Sequence, residues 1–394
     1  MNTTNMPVRA FQWRKTPLAM TLPPEARVAA CRAAFASGRA TPATGVLFLE
    51  ALFRMAHFDE AIAFSEENPR PPGCDPAWDA ALIHNLLGSG QKEKALAHAN
   101  AALKMAPGCW PIVHERAELL LRLGRGAEAE ADIVALLEQS HLSLTPQMSM
   151  HLKRSKEPAQ LLELLDRWPG RVQPGIAPWL RVQSLLALDR RTEALEWMDV
   201  DNLLHQEVLP LPDITDRDAF HNALMQETTE SGSFRYEPLD LATRKGQQTS
   251  VLLNGTTSMP VLLSAIRGAI DRYVARLLPD SPFTRSIPKA GALDAWMVRL
   301  GPGGRQAAHL HPSGWLSGVY YISAPGVDET AGALVIPYDK NPVWPVHTLV
   351  PESGKLVLFP SYFMHHTLPH RSEQQRVCVA FDVLPRGENE MTLR

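Results

Sequence analysis

Hydrophobic positions along the chain follow two different periods, and the change from one to the other divides it. In the first half, Ala61 in Phe58-Asp59-Glu60-Ala61-Ile62, Ala95 in Glu93-Lys94-Ala95-Leu96 and Ala129 in Ala127-Glu128-Ala129 stand 34 residues apart. Such a fixed interval predicts stacked helical hairpins, with small residues where paired helices approach closely. Further units around Pro158-Ala159-Gln160-Leu161 and Thr192-Glu193-Ala194-Leu195 follow, but Ala159 and Ala194 are 35 apart, so the register loosens across the proline-rich stretch 168–179. Residues 206–258 are transitional, with a strand predicted over 248–253. From 260 to 278, Leu262, Ile266, Ala269, Ile270, Tyr273 and Leu277 recur at helical spacing behind the start signals Ser258 and Pro260. Beyond Pro288 the pattern turns to short strands, over 295–300, 316–323, 332–337, 355–359 and 376–383. Turns such as Gly301-Pro302-Gly303-Gly304 and Glu352-Ser353-Gly354 separate them. Short antiparallel strands with irregular loops predict a double-stranded β-helix, or jelly roll.

The 34-residue interval is the tetratricopeptide repeat length, and Ala95, Ala102 and Pro107 fall where that repeat places two helix-contact residues and its closing proline. The predicted architecture is therefore an α+β multidomain chain. A tetratricopeptide-like helical repeat domain is expected over 24–205 and a jelly-roll domain over 206–394. A length of 394 residues agrees with two domains. Composition, 45% hydrophobic and 21% charged, is that of a globular protein. A net charge of −3 and a pI near 6.5 give no electrostatic reason to expect nucleic acid or an anionic membrane as partner. No apolar stretch approaches the roughly 20 residues of a membrane-spanning helix. No apolar run of signal-peptide length follows Arg9, Arg14 and Lys15, so a cytoplasmic location is expected. Cys31, Cys74, Cys109 and Cys378 are too scattered for zinc spacing and too few for a disulfide framework, which predicts free thiols.

The candidate chemistry lies in the second half. His309 and His311 flank Leu310, and on extended backbone residues two apart project from the same face, so both imidazoles can grip one ion. A third imidazole, His365, follows the apolar strand Lys355-Leu356-Val357-Leu358-Phe359 and its proline. Arg376 opens the next strand eleven residues later. Imidazole suits iron, and a guanidinium pairs bidentately with a carboxylate. Plainer readings exist for each residue. A His-x-His pair alone is often two polar residues near a turn, and Arg376 has Asp382 or Glu373 as possible partners. His366 and His370 compete with His365 by position. His347 and His98 read as surface or capping residues, and Arg299 and Arg305 as solvated or at a pocket mouth.

The run from Trp296 to Val383 resembles the 2-oxoglutarate/iron(II)-dependent oxygenase superfamily, and within it a bacterial and phage branch. The resemblance lies in His309-Leu310-His311-Pro312, Leu316-Ser317-Gly318-Val319-Tyr320-Tyr321, Gly332-Ala333-Leu334, Leu358-Phe359-Pro360-Ser361, His365 and Arg376. It implies that His309 and His365 hold the iron, with His311 either a third ligand or turned away in favour of water. It implies also that Arg376 receives the far carboxylate of 2-oxoglutarate, with Tyr320, Tyr321 and Cys378 beside it. Two departures stand out: His311 occupies the place of the usual Asp or Glu, and Cys378 that of a frequent Ser. Helical repeats joined to such a barrel are similar to the aspartyl/asparaginyl β-hydroxylases, whose metal site also lacks the carboxylate. The implied activity is a dioxygenase using iron(II), 2-oxoglutarate and O2. It would hydroxylate a peptide, protein or small molecule and release succinate and carbon dioxide, with the repeats holding a peptide or protein. The rival enzyme is a cupin-type three-histidine metalloenzyme. A cupin's glutamate would stand where Trp315 or Leu316 does, and Pro351-Glu352-Ser353-Gly354 lacks the histidine of a cupin's second motif. The rival of another class is a noncatalytic repeat adaptor with a degenerate barrel.

Overall fold

The computed structural model describes residues 12–13, 24–70, 76–230, 234–237, 241–249, 257–326, 330–337 and 344–386. The chain forms two compact units. Residues 18–173 make one, and residues 174–394 with the N-terminal 1–17 make the other.

The first unit is helical: α1 Pro24–Ala36, α2 Pro42–Arg54, α3 Phe58–Glu67, α4 Ala77–Gly88, α5 Lys92–Met105, α6 Trp110–Arg122, α7 Gly126–Gln139, α8 Pro146–Ser155 and α9 Pro158–Arg167. The sequence period reappears in the backbone. Ala56, Gly90 and Gly124, also 34 apart, have left-handed φ of 57°, 80° and 74° at the turns of the hairpins α2–α3, α4–α5 and α6–α7. After each, an N–H closes back on a carbonyl five residues earlier: His57 on Leu52, Gln91 on Leu86 and Arg125 on Leu120. This is the Schellman end that a left-handed residue permits. Ala61, Ala95 and Ala129 are fully buried at the helix contacts. The fourth expected unit departs from the pattern: Ala159 is exposed, and α9 buries Leu161, Leu162, Leu164 and Leu165 instead.

A further hairpin, α10 Ala177–Ala187 and α11 Arg191–Trp197, turns through the left-handed Asp189 (φ 57°) and buries Ala194. It continues the repeat pattern and groups with the second compact unit. Helical periodicity fixes that a segment is a helix, not what it packs against. With α12 Val200–Leu203, these helices lead into the barrel.

The barrel contains β1 Gln12–Trp13, β2 His205–Val208, β3 Phe234–Tyr236, β4 Thr243–Thr249, β5 Ala290–Gln306, β6 Leu316–Ser323, β7 Leu334–Ile336, β8 His347–Leu349, β9 Lys355–Pro360, β10 His366–Thr367 and β11 Arg376–Arg386. The larger sheet has the order β2-β9-β6-β11-β5-β4-β3, with β1 parallel to β5, and the smaller has the order β10-β7-β8. Apart from β1 the pairings are antiparallel, which makes the two-sheet jelly roll expected from the sequence. The strand expected over 248–253 is observed as Thr243–Thr249, and 250–253 lie outside the described residues. Helices α13 Arg217–Glu230, α14 Ser258–Arg276 and the single turn α15 Pro282–Arg285 complete the unit. The long predicted helix is α14, whose buried stripe ends at Tyr273, hydrogen-bonded to the Leu203 carbonyl at 2.8 Å. Central strands β6, β9 and β11 are buried along almost their whole length, the mark of a sheet covered on both faces.

Candidate metal centre

Beyond β5 the chain passes antiparallel to the segment after β9, and backbone hydrogen bonds set the register. The His309 N–H donates to the His365 carbonyl and the His365 N–H to the His309 carbonyl, both at 2.9 Å. The His311 N–H donates to the Ser361 carbonyl at 3.0 Å. Residues 309 and 311, two apart on extended chain, point the same way, as their spacing requires. The rings gather: centroids lie 4.3 Å apart for His309–His365 and 5.1 Å for each of the other two pairs. One nitrogen from each ring lies within 4.8 Å of the others.

The other nitrogens are engaged in a uniform way. The Nδ1 of His309 meets the Ala307 carbonyl at 2.7 Å, that of His365 the Phe363 carbonyl at 2.9 Å, and that of His311 the Asp382 carboxylate at 2.6 Å. Carbonyls and ionised carboxylates only accept, so each Nδ1 carries the proton and each Nε2 keeps a lone pair. Such bonds on the far nitrogen accompany metal-ligating histidines. For His309 and His365 the site favours the neutral ring. Burial, followed by the neighbouring His311, pushes the pKa of His309 down to about 4. Burial, then His309 and His311, holds His365 well below the ordinary value. Three neutral nitrogen donors on converging strand ends fit a first-row divalent ion such as iron(II). Trp296 stacks on His311, with centroids 5.6 Å apart and planes at 26°, while Phe359 presents its ring to His365 at 4.8 Å. These aromatics wall the cluster.

Arg376 opens β11 and is 2% exposed. Its Nε donates to the Gly332 carbonyl at 2.9 Å, Nη1 to the Cys378 sulfur at 3.3 Å and Nη2 to the Tyr321 hydroxyl at 3.3 Å. Burial opposes its charge, and its side-chain partners Cys378 and Tyr321 are neutral groups whose own pKa values burial raises. Gly332, with φ of 68°, has no room for a side chain, because an added Cβ would stand 2.9 Å from the Arg376 Cδ. Arg376, Cys378, Ala380 and Asp382 share one face of β11 by strand alternation. Asp382 touches His311, so the guanidinium and the histidine cluster line the same interior.

Residues 294–382 match the sequence model of the family described as "Putative 2OG-Fe(II) oxygenase". The matched stretch lies within the barrel, from β5 to β11. No curated protein matches the chain. Among solved structures, a Pseudomonas putida prolyl-4-hydroxylase is 18% identical, covering 50% of this chain and 99% of its own, with a TM-score of 0.35. A Trichoplax adhaerens prolyl hydroxylase, solved with a hypoxia inducible factor peptide fragment, is 16% identical over 52% of this chain and 96% of its own, with a TM-score of 0.37. HygX from Streptomyces hygroscopicus, solved with nickel and 2-oxoglutarate, is 13% identical over 48% and 86%, with a TM-score of 0.30.

Within the barrel the run Ser317-Gly318-Val319-Tyr320-Tyr321 divides by parity. Ser317 and Tyr321 face inward, to Asp382 at 2.6 Å and to Arg376. Gly318 makes space for Phe381, whose ring would lie 2.3 Å from an added Cβ. Tyr320, also expected near the cosubstrate, points to the opposite face, where its hydroxyl meets His221 Nε2 at 2.8 Å. That correction follows from period two: adjacent tyrosines on a strand cannot share a face.

His366 lies outside the cluster, and the buried His370 bonds the Leu300 carbonyl through Nε2 at 3.1 Å. Arg299 lies over the Phe234 ring at 4.0 Å and bonds the Met225 carbonyl, away from the histidines, and Arg305 is exposed. Asp382 pairs with His311 and not with Arg376. Among the described residues Cys31, Cys109 and Cys378 are free thiols, and no helix is long and apolar enough to cross a membrane. Cys74 lies outside the described residues.

Proposed function

We propose that the protein is a 2-oxoglutarate- and iron(II)-dependent dioxygenase that hydroxylates its substrate and releases succinate and carbon dioxide. His309, His311 and His365 hold the iron. Arg376, with Tyr321 and Cys378, receives the far carboxylate of 2-oxoglutarate. The observation that carries this reading is the buried Arg376 guanidinium, which has no carboxylate partner among the described residues. A buried charge without a counter-charge costs several kcal/mol, so the interior is arranged for an anion supplied from outside. A diacid that also chelates a metal satisfies both ends of that interior at once.

When bound, iron(II) supplies the oxidative decarboxylation of 2-oxoglutarate with O2 and the hydroxylation coupled to it. The residues of the chain do the holding. His309, His311 and His365 would hold the iron through Nε2, and the iron would supply the sites that cosubstrate and O2 need. Arg376 orients the diacid by charge-assisted hydrogen bonds, and Trp296 and Phe359 keep the wall apolar. Concave surfaces of stacked helical hairpins commonly bind peptides. A peptide or protein recruited by the tetratricopeptide-like half is therefore the substrate class proposed, with the chemistry carried out in the cytoplasm.

Anaerobic addition of iron(II) and 2-oxoglutarate tests the reading. A weak visible charge-transfer band is expected, lost in Arg376→Ala, together with succinate release on admitting air. Metal binding with no response to 2-oxoglutarate would point to a cupin-type enzyme, and no metal binding to an adaptor.

A further inference from the structure

We infer that Asp382 is a positioning residue for the metal, returning through His311 the negative charge that the histidine at that place removes. The inference rests on the metal-site reading above but not on the use of 2-oxoglutarate.

Three observations support it. First, the Asp382 carboxylate receives the His311 Nδ1–H at 2.6 Å, whereas His309 and His365 donate to neutral backbone carbonyls. One ligand of the three is thus backed by a full charge. An imidazole whose far nitrogen donates to a carboxylate is a more basic ligand and has a fixed ring orientation. Second, Asp382 is itself oriented. Ser317 Oγ donates to the same Oδ1 at 2.6 Å and is 2.7 Å from Ser361 Oγ, and Asp382, Ser317 and Ser361 are all buried. The Gly314 Cα carries no side chain there, where an added Cβ would meet Ser361 Oγ at 2.4 Å. Third, Asp382 has no competing cation. Its only ion-pair partner among the described residues is His311.

Charge balance gives the arrangement its sense. Three neutral imidazoles would leave the two charges of a ferrous ion unopposed by any protein ligand, and Asp382 returns one negative charge to the group through His311. A carboxylate ligating directly would give the same total. Placing it one imidazole away keeps the total and makes the third ligand neutral and softer.

The test is metal affinity of the metal-free protein, titrated anaerobically with cobalt(II) and followed by its visible absorption. Asp382→Asn is expected to weaken binding 10- to 100-fold, the range for such outer partners. Ser317→Ala, which leaves the His311–Asp382 bond in place, should change it less than about 5-fold. Circular dichroism checks that the variants fold. Should Asp382→Asn not fold, nitrogen-15 spectra of wild-type imidazoles still decide, since His311 must be protonated at Nδ1 in the metal-free protein. A second decision comes from the His311→Asp background. There Asp382→Asn should strengthen cobalt binding by removing a repelling carboxylate, the opposite sign from its effect beside His311. Equal affinities of wild type and Asp382→Asn, or an Nε2-protonated His311, would overturn the inference. Cobalt binding that obeys these expectations without any response to 2-oxoglutarate would overturn the proposed activity alone.

Discussion

His309 and His365 exchange both of their backbone hydrogen bonds, each 2.9 Å long, so the two segments that carry the histidines are joined by main chain before any ion arrives. The side chains are not needed for that pairing. His365→Ala should therefore leave the barrel folded, at a cost of about 1–2 kcal/mol for a lost buried ring, while abolishing metal binding. Wild-type protein should melt at a higher temperature with cobalt(II) present, since a ligand at about 100 times its dissociation constant adds about 2.7 kcal/mol. The metal-dependent shift should vanish in His365→Ala and persist in His366→Ala. A shift retained in the former and lost in the latter would assign the wrong histidine.

Cys378 stands 3.3 Å from the Arg376 Nη1, close to where the oxygenase resemblance usually has a hydroxyl. Thiol is a poor hydrogen-bond donor. Cys378→Ser is expected to tighten 2-oxoglutarate binding by about 1 kcal/mol, the net worth of one hydrogen bond. Arg376→Met should eliminate 2-oxoglutarate binding without lowering the melting temperature of the ligand-free protein, because it removes a buried charge that has no counter-charge. Calorimetric titration with the diacid under nitrogen, beside thermal melts, measures both. A ligand-free Arg376→Met that melts far below wild type would mean that Arg376 serves the fold.

Much of the centre was legible because it obeys alternation. His309 and His311 share a face, and His365 is chosen over His366 by the same parity. The rule applied onward from Arg376 also reaches Asp382, six residues along one face of β11. What the sequence did not contain was its partner. Whether Asp382 meets His311 depends on how residues 307–311 pass β11, which the backbone bonds of His309 with His365 and of His311 with Ser361 set. Tyr320 and Tyr321 were likewise inseparable until the strand's facing was known. The hairpin α10–α11 read correctly as helical, yet no pattern within it told that its apolar face completes the barrel unit.

Asp294 stands opposite Asp382 in the β5–β11 register. Burial first, and Asp382 next, push its pKa up to about 6, with Arg386 opposing. A carboxyl group whose folded pKa exceeds its unfolded value binds its proton more tightly when folded. Stability is therefore lost as pH rises from about 4 to about 6, and the loss stays constant above that. Asp294→Asn should remove it. The variant should be more stable than wild type at pH 7.5, by at most ~3 kcal/mol for a shift of this size, and equal to it near pH 3.5. Urea unfolding at the two pH values tests the sign. A stabilisation that is the same at both would place the effect in packing.

Gly175 is the point where the start of the barrel unit touches the metal segment. Its N–H donates to the Pro312 carbonyl at 2.8 Å, and an added Cβ would lie 1.9 Å from the His311 carbonyl oxygen. That oxygen is backbone, in a segment held on its other side by the His311 N–H bond to Ser361, so it cannot swing away as a side-chain tip would. Gly175→Ala must displace either its own segment or residues 311–312. Overpacking of this kind costs about 1–3 kcal/mol. If 311–312 yield, His311 leaves its register with Asp382, and cobalt(II) affinity should fall together with stability. If the segment around Gly175 yields instead, stability should fall alone. We expect stability to fall alone, because His311 is tied to the Ser361 carbonyl and to Asp382, and a shift of its backbone would strain both bonds. Cobalt titration beside a urea melt separates the outcomes, and a metal affinity that falls together with stability would show that the metal segment is the softer of the two.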